Sequence, residues 1–408
     1  SIEGIGQGRA EALEDLFGEH TFDRIDADPK ATFQLLPKVG EATASKAAES
    51  WKSRRHVRQV MALLTASGIK ESQAIASRAV TEWGAETAER LNEDPYSLID
   101  LVGVGFHDAD RLGLHLGVPE QSRRRIQAGA LHLLREAHGA KGHMYLPEAE
   151  LTLQLAGLLS LPANHLHLDV DLSMTRGIRC DNDRFYTASA YRAERNLASD
   201  IWMLAESSSI HDPINIDSLD PALTDDQRQA IAACWNQRLT MISGPPGVGK
   251  TTIIKAIGDL AKAQGLLVSL TAPTGRAASR MSQVSGLPAC TIHRLLGIIG
   301  RGIEPEHSTV NPLPADIVIC DEASMLDVEL AAKLTDALHP DAHLVLVGDA
   351  DQLPPPGAGD ALAELLASPA ISHHRLTQVF RQAAHSTLLK AAASIRVGQL
   401  PNFHTLPD

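Results

Sequence analysis

The segment from Leu239 to Gln264 restricts the fold of this chain more than any other. An apolar run, Leu239 to Ile242, leads into GPPGVGKTT, Gly244 to Thr252, and a helix-prone run, Ile253 to Gln264, leads out. Strand, glycine-rich loop and helix in that order make a phosphate-binding loop. The glycines let successive backbone N–H groups turn inward around an anion, and the helix N-terminus adds its partial positive charge. Lys250 would reach the β- and γ-phosphates and the Thr251 hydroxyl would ligate Mg²⁺. The sequence therefore predicts that this chain binds a nucleoside triphosphate.

From Leu223 onward the pattern stays regular. Apolar strands are predicted at Thr240 to Ser243, Leu266 to Thr271, Ile317 to Cys320 and Leu344 to Val347, with helical stretches between them. That alternation predicts a parallel sheet covered on both faces. In the helix after the loop, Ile253, Ile257, Leu260 and Ala261 form one stripe, and Gly265 is placed to cap it. The segment IVICDEAS, Ile317 to Ser324, ends a buried strand on two acids. Asp321 can hold the Mg²⁺ shell, and Glu322 can polarise the attacking water. GDADQLPP, Gly348 to Pro355, follows the next strand, putting Asp349 and Gln352 at the carboxyl edge, where ligands of parallel sheets gather. Gln352 can hydrogen-bond both a γ-phosphate and the lytic water.

With 408 residues the chain exceeds one ordinary core, so several domains are expected. A net charge of −13 argues against a protein that coats nucleic acid, though local grooves and backbone amides still bind phosphates on an acidic surface. No apolar run approaches the ~20 residues that span a bilayer. Four scattered cysteines, Cys180, Cys234, Cys290 and Cys320, give neither zinc spacing nor a disulfide framework and point to a reducing cytoplasm. His373 and His374 have no third ligand beside them and read as ordinary residues.

The first hundred residues contain an internal repeat. Phe17 to Pro29 matches Trp83 to Pro95, with coincidences at Gly18/Gly84, Thr21/Thr87, Arg24/Arg90, Asp28/Asp94 and Pro29/Pro95. Each copy ends in a short hairpin, Lys38-Val39-Gly40 or Gly103-Val104-Gly105, and a third hairpin, Gly4-Ile5-Gly6, opens the chain. Ala10, Ala44 and Ala109 follow, then Leu13, Ala47 and Leu112, all expected on the packed face of the next helix. These stretches resemble tandem helix-hairpin-helix motifs, which grip nucleic-acid backbone through helix N-terminal amides. Gly4, Gly6, Gly40, Gly103 and Gly105 would then touch DNA, unless the hairpins only pack. Arg123-Arg124-Arg125 reads as a solvated face, with nucleic-acid contact the alternative. Between the repeats and the sheet, Gly177 to Thr187 reads as a hairpin around Asp181-Asn182-Asp183, followed by a helix from Tyr191 to Ala205.

LTDDQ (Leu223 to Gln227), GPPGVGKTT, TAPTGRAA (Thr271 to Ala278), TIHRLLG (Thr291 to Gly297), DEAS, GDADQLPP and VFRQ (Val379 to Gln382) occur in this order. Together they resemble the motifs of superfamily 1 DNA helicases, most closely the RecD-type branch in its stand-alone form with N-terminal helix-hairpin-helix repeats. The resemblance implies that Gln227 reads the adenine and that Gly247, Val248, Gly249, Lys250, Thr251 and Thr252 cradle the phosphates. It implies that Asp321 holds Mg²⁺ with Thr251, Glu322 activates water, Gln352 senses the γ-phosphate and Arg381 stabilises its developing charge. Thr274 and His293 would touch single-stranded DNA, and Arg276 adds a backbone contact or packs at a helix start. An insertion at 298–314 would form a small duplex-splitting hairpin.

The implied architecture is multidomain. All-α helix-hairpin-helix repeats fill 1–118, a small connecting α/β or winged-helix-like domain fills 119–222, and a P-loop RecA-like parallel-sheet motor domain fills 223–375. A second motor domain begins at 376–408. Its remaining motifs are not found past Arg381 and both ends read as cut, so this polypeptide is expected to bind nucleotide but to unwind poorly. The implied function is an ATP-dependent, Mg²⁺-requiring DNA helicase moving 5′ to 3′ on single-stranded DNA, acting at single/double-strand junctions in repair or recombination. The alternatives are a DNA-structure-binding ATPase switch without unwinding and a nucleotide-dependent scaffold for repair partners.

Overall fold

The computed structural model describes residues 4–168, 172, 177–300, 303–349, 351–378, 391, 394–395 and 398–401. The chain divides into two units, Ser1–Leu133 with Leu151–Met174 and Leu134–Glu150 with Thr175–Asp408. The stretch read as a connecting domain is thus shared between the two.

In the first unit the sequence repeat is a repeat of structural duties. Helix α1 (Gln7–Phe17) ends at Gly18 and helix α6 (Ser72–Trp83) at Gly84, both glycines at positive φ, 54° and 73°. Helices α2 (Thr21–Ala27) and α7 (Thr87–Glu93) then begin. The hydroxyls of Thr21 and Thr87 donate to the carbonyls of Gly18 and Gly84 at 2.6 and 2.7 Å. Asp28 caps helix α3 (Pro29–Gln34) and Asp94 caps the 3-10 turn Pro95–Asp100, each with proline in the first helical position. Arg24 lies over the Phe17 ring and Arg90 over Trp83, at 5.8 and 4.3 Å. Every coincidence in the repeat corresponds to a turn, a cap or a cation–π contact.

The three hairpins share one backbone shape. Gly4, Lys38 and Gly103 lie at φ 79°, 59° and 81°. The next glycines, Gly6, Gly40 and Gly105, are extended caps of α1, α4 (Glu41–Ser53) and α8 (Phe106–His115). Lys38 adopts the left-handed conformation despite its side chain, at a cost of order 1 kcal/mol. Ala44, Ala47, Ala109, Leu13 and Leu112 are buried as expected. Ala10 is not: it is exposed, at a cavity of about 830 Å³ that α1 shares with α5 (Arg55–Ala66) and α6. In the Arg123–Arg125 triplet, which opens helix α9 (Arg123–Lys141), Arg123 and Arg124 are exposed as expected and Arg125 is not. Arg125 is buried, its guanidinium paired with both oxygens of Asp110 at 2.7 and 2.9 Å, and it is therefore no phosphate ligand. Arg124 donates to the Glu93 carbonyl.

In the second unit a small antiparallel sheet runs β1 (Tyr145–Pro147), β3 (Arg184–Thr187), β2 (Ile178–Asp181). Asn182 and Asp183, at φ 49° and 62°, make the hairpin turn the sequence indicated. The larger sheet is parallel with order β6-β5-β7-β8-β4-β9. Its strands are β4 (Leu239–Ser243), β5 (Val268–Ala272), β6 (Ala289–Thr291), β7 (Ile317–Cys320), β8 (His343–Gly348) and β9 (His373–Arg375). Strands β6 and β9 are edge strands of three residues, too short for a periodicity to show. Alternate residues of the central strands enter different cores: Ile317, Ile319, Val345 and Val347 on one face, Val318, Cys320, Leu344 and Leu346 on the other. The P-loop helix packs Ile253, Ile254 and Ile257 on the first face. The helix Ala188–Glu206 packs Leu197, Ile201 and Leu204 on the second. Both faces are covered, so every strand end at the carboxyl edge opens onto a loop rather than a core.

Candidate nucleotide and nucleic-acid site

Strand β4 delivers the chain to Gly244, where a Cβ would lie 2.9 Å from the Leu376 carbonyl, so only glycine fits. The loop turns through Gly247 and Gly249, at φ 86° and 85°, into the helix Lys250–Ala263, whose N-cap Gly249 supplies no side-chain cap. No side chain caps the helix's first amides, the groups that a loop of this kind offers to an anion. Lys250 donates from Nζ to the Gly244 carbonyl at 2.6 Å, folded back across the loop it would share with a phosphate. Burial pushes its ammonium below the ordinary lysine value, against the opposing charges of Asp349, Glu322 and Asp321. These are acids from the two neighbouring strand ends, β7 and β8.

Asp321 follows β7 directly. Burial raises its carboxyl above the ordinary aspartate range, and the adjacent Glu322 charge adds to this, while the Glu322 N–H bonded to Oδ1 at 2.9 Å works against it. The charges of Lys250 and Arg280 also act against the rise. The Asp321 carboxylate and the Thr251 hydroxyl are hard-oxygen donors, the kind that suits Mg²⁺. Glu322 is in the left-handed region, φ 53° and ψ 39°, an uncommon conformation for a residue with a Cβ and one that clusters at functional sites. After β8, the turn carrying Gln352 closes when the Gln352 N–H donates to the Asp349 carbonyl at 3.1 Å.

Gln227 has a duty beside the one the resemblance implies. It is buried, its Nε2 donates to the Val248 carbonyl at 3.1 Å, and its Oε1 accepts from the Thr224 N–H at 3.1 Å. It completes a capping box and ties the helix Asp225–Asn236 to the P-loop. The Thr224-x-x-Gln227 spacing was the sequence signal for this.

Thr274 lies two residues past β5 and caps the helix Gly275–Ser285, accepting from the Ala277 N–H at 3.3 Å. His293 is exposed just after β6. Arg276 is exposed on the first turn after Thr274. Arg280, one turn further, was not singled out from sequence, yet its charge acts on both Lys250 and Asp321. Its i+4 spacing from Arg276 was the available signal. Arg381 lies outside the described residues. In the 298–314 segment the described part has one isolated bridge, Ser308 to Asn311. Thr309 ties it down by donating to Asp336 Oδ1 at 2.5 Å. Val310 at its tip is 95% exposed.

A family model described as an AAA domain matches residues 222–408, and one described as the ATP-dependent RecD2 DNA helicase HHH domain matches 53–145. The ATP-dependent RecD2 DNA helicase of Deinococcus radiodurans is 34% identical over 98% of this chain and 58% of that protein. This chain belongs to the RecD-like helicase family. The RecBCD enzyme subunit RecD of Mycolicibacterium smegmatis is 30% identical to this RecD-like chain over 64% of its length and 51% of the relative's. The chain thus spans a little over half the length of these curated relatives. Among solved structures, a Pif1 helicase from Candida albicans matches with a TM-score of 0.33 at 23% identity, over 44% of this chain and 45% of that one.

Proposed function

We propose that this chain carries the nucleotide-hydrolysing half of an ATP-driven DNA helicase that moves 5′ to 3′ on single-stranded DNA and opens duplexes during repair or recombination. The observation supporting this most directly is the partition of one sheet edge. Lys250, Asp321, Glu322 and Gln352 follow the adjacent strands β4, β7 and β8, while Thr274 and His293 follow the next two, β5 and β6. One rigid edge can therefore hold a triphosphate and a DNA backbone side by side.

In this reading Gly247 to Thr252 grip the phosphates, and Thr251 and Asp321 would hold Mg²⁺. The bound ion would offset phosphate charge as it builds on the leaving group. Lys250 would leave the Gly244 carbonyl for a phosphate oxygen, Glu322 would take the proton of the attacking water, and Gln352 would orient that water. Arg381 would supply further positive charge. The hairpin glycines Gly4, Gly6, Gly40, Gly103 and Gly105 would add grip on the DNA backbone in the helical unit, with single/double-strand junctions as the substrate. The segment 298–314, with Val310 at its tip, would meet the duplex.

ATP turnover by the complete gene product, measured with and without single-stranded DNA and with forks tailed at either end, tests this. DNA-stimulated turnover, lost in Lys250→Ala, with opening of 5′-tailed forks, is expected. Stimulated turnover without strand opening would leave a DNA-responsive switch instead, and turnover indifferent to both DNA and Lys250→Ala would overturn the reading.

A further inference from the structure

We propose that Ser324 is a positioning residue that sets the Gln352 amide for the hydrolytic step; this rests on the ATPase reading above. The backbone brings the two together by an unusual route. Past Asp321 the left-handed Glu322 redirects the chain into a single 3-10 turn, Ala323–Met325. The Met325 N–H closes it on the Glu322 carbonyl at 2.9 Å, and the Leu326 N–H on the Ala323 carbonyl at 3.1 Å. Ser324 is left 4% exposed, a hydroxyl held inside the protein.

The second approach comes from β8. A Cβ on its last residue, Gly348, would lie 3.2 Å from the Ser324 nitrogen and 3.4 Å from that of Ala323, so bare backbone passes against the 3-10 turn. The following loop then folds back: Asp349 Oδ1 accepts the Asp351 N–H and the Asp349 carbonyl accepts the Gln352 N–H, both at 3.1 Å. Ser324 Oγ donates to Gln352 Oε1 at 3.3 Å. The bond spans two strand ends whose acids, Asp321, Glu322 and Asp349, all face Lys250 electrostatically.

Gln352 is exposed, and an exposed glutamine samples many rotamers. A hydroxyl fixed in the interior removes that freedom at the amide oxygen and leaves the Nε2 donors for a phosphate oxygen or for the lytic water. Nothing in this bond touches the loop that grips the phosphates. Losing it therefore lowers the fraction of bound complexes with Gln352 in register, without changing how the nucleotide is held.

Steady-state ATP turnover by the complete gene product tests this with Ser324→Ala, Ser324→Thr, Gln352→Ala and the Ser324→Ala/Gln352→Ala pair. Ser324→Ala should lower kcat roughly tenfold with KM for ATP within about twofold of the parent. Ser324→Thr, which keeps the hydroxyl, should recover most of it. The double variant should be no slower than Gln352→Ala alone, because the hydroxyl has nothing left to orient. A Ser324→Ala variant with unchanged kcat, a loss appearing in KM, or effects that multiply in the double variant would each overturn the proposal. A parent protein with no Lys250-dependent turnover would instead overturn the ATPase reading, so the two failures are distinct.

Discussion

Replacing Asp110 by alanine should destabilise the helical unit by about 3–5 kcal/mol, the cost of stranding a buried charge. The size follows from what Asp110 holds. Arg125 is 5% exposed, and its Nε and Nη2 meet the two carboxylate oxygens at 2.7 and 2.9 Å. The Tyr96 hydroxyl, also in the interior, donates to Oδ1 at 2.9 Å. The remaining donor of Arg125, Nη1, reaches the carbonyls of Glu120 at 2.9 Å and Leu159 at 3.2 Å. Without the carboxylate the guanidinium keeps two neutral acceptors but no counter-charge, and Tyr96 loses its acceptor as well. Hydrogen exchange in urea, followed on peptides from α6 to α9, isolates this unit. At about 2 kcal/mol per molar urea the midpoint should fall by roughly 2 M. The apolar pair Asp110→Leu/Arg125→Met removes both charges together and should cost about 1 kcal/mol or less. A midpoint shift under about 0.5 M for Asp110→Ala, or a double variant as unstable as the single one, would refute the reasoning.

Three further outcomes are expected. Glu322→Gln should bind nucleotide like the parent but turn it over about a hundredfold or more slowly; rapid single-turnover hydrolysis would remove Glu322 as the base. Gly348→Ala drives a methyl towards the Ser324 backbone and, at 2.6 Å, into Leu362 Cδ2, and should slow turnover about tenfold while thermal melting moves by only a few degrees. His138 Nε2 lies 3.2 Å from Glu329 Oε1, which holds the imidazole above its ordinary value, while His138 holds the Glu329 carboxyl below the usual glutamate range. The raised histidine stabilises fully below its unfolded value and loses that contribution as pH climbs through the folded one. The lowered glutamate stabilises above its unfolded value and loses its contribution as pH falls through its folded one. The sheet-containing unit should therefore lose stability above neutral pH in the parent and not in Glu329→Gln, and identical slopes of Tm against pH would contradict this.

What the sequence made legible was whatever chemistry forces locally. Gly18 and Gly84 recur because a helix end needs positive φ, Asp28 and Asp94 because a proline-led turn needs a cap, and the P-loop because only glycine passes Leu376. What stayed hidden depends on partners distant in the chain. Arg125 looks like a surface arginine until Asp110 is beside it. Ala10 repeats a buried position, but its helix faces a cavity rather than a packed neighbour. Arg280 acts electrostatically on Lys250 and Asp321, residues 30 and 41 positions away in the chain. Ser324 and Gln352, 28 positions apart, meet only because β7 and β8 are adjacent.

That adjacency also limits how nucleotide hydrolysis could drive the proposed grip on DNA. The Asp321 N–H donates to the Thr271 carbonyl at 2.9 Å, joining the end of β7 to β5. The Thr271 hydroxyl donates to the Cys290 carbonyl at 3.0 Å, joining β5 to β6 just before His293. Thr271 is fully buried, and both links are short hydrogen bonds between paired strands. The path from Asp321 to the residues proposed to meet DNA therefore runs through hydrogen-bonded strands rather than through an element shown in two arrangements. Coupling between sites needs such an element. If this edge moves DNA, it does so as one rigid piece, and the alternation of tight and loose grip has to come from closing against a second body across the nucleotide. A second motor domain, which the family resemblance implies, would fill that role.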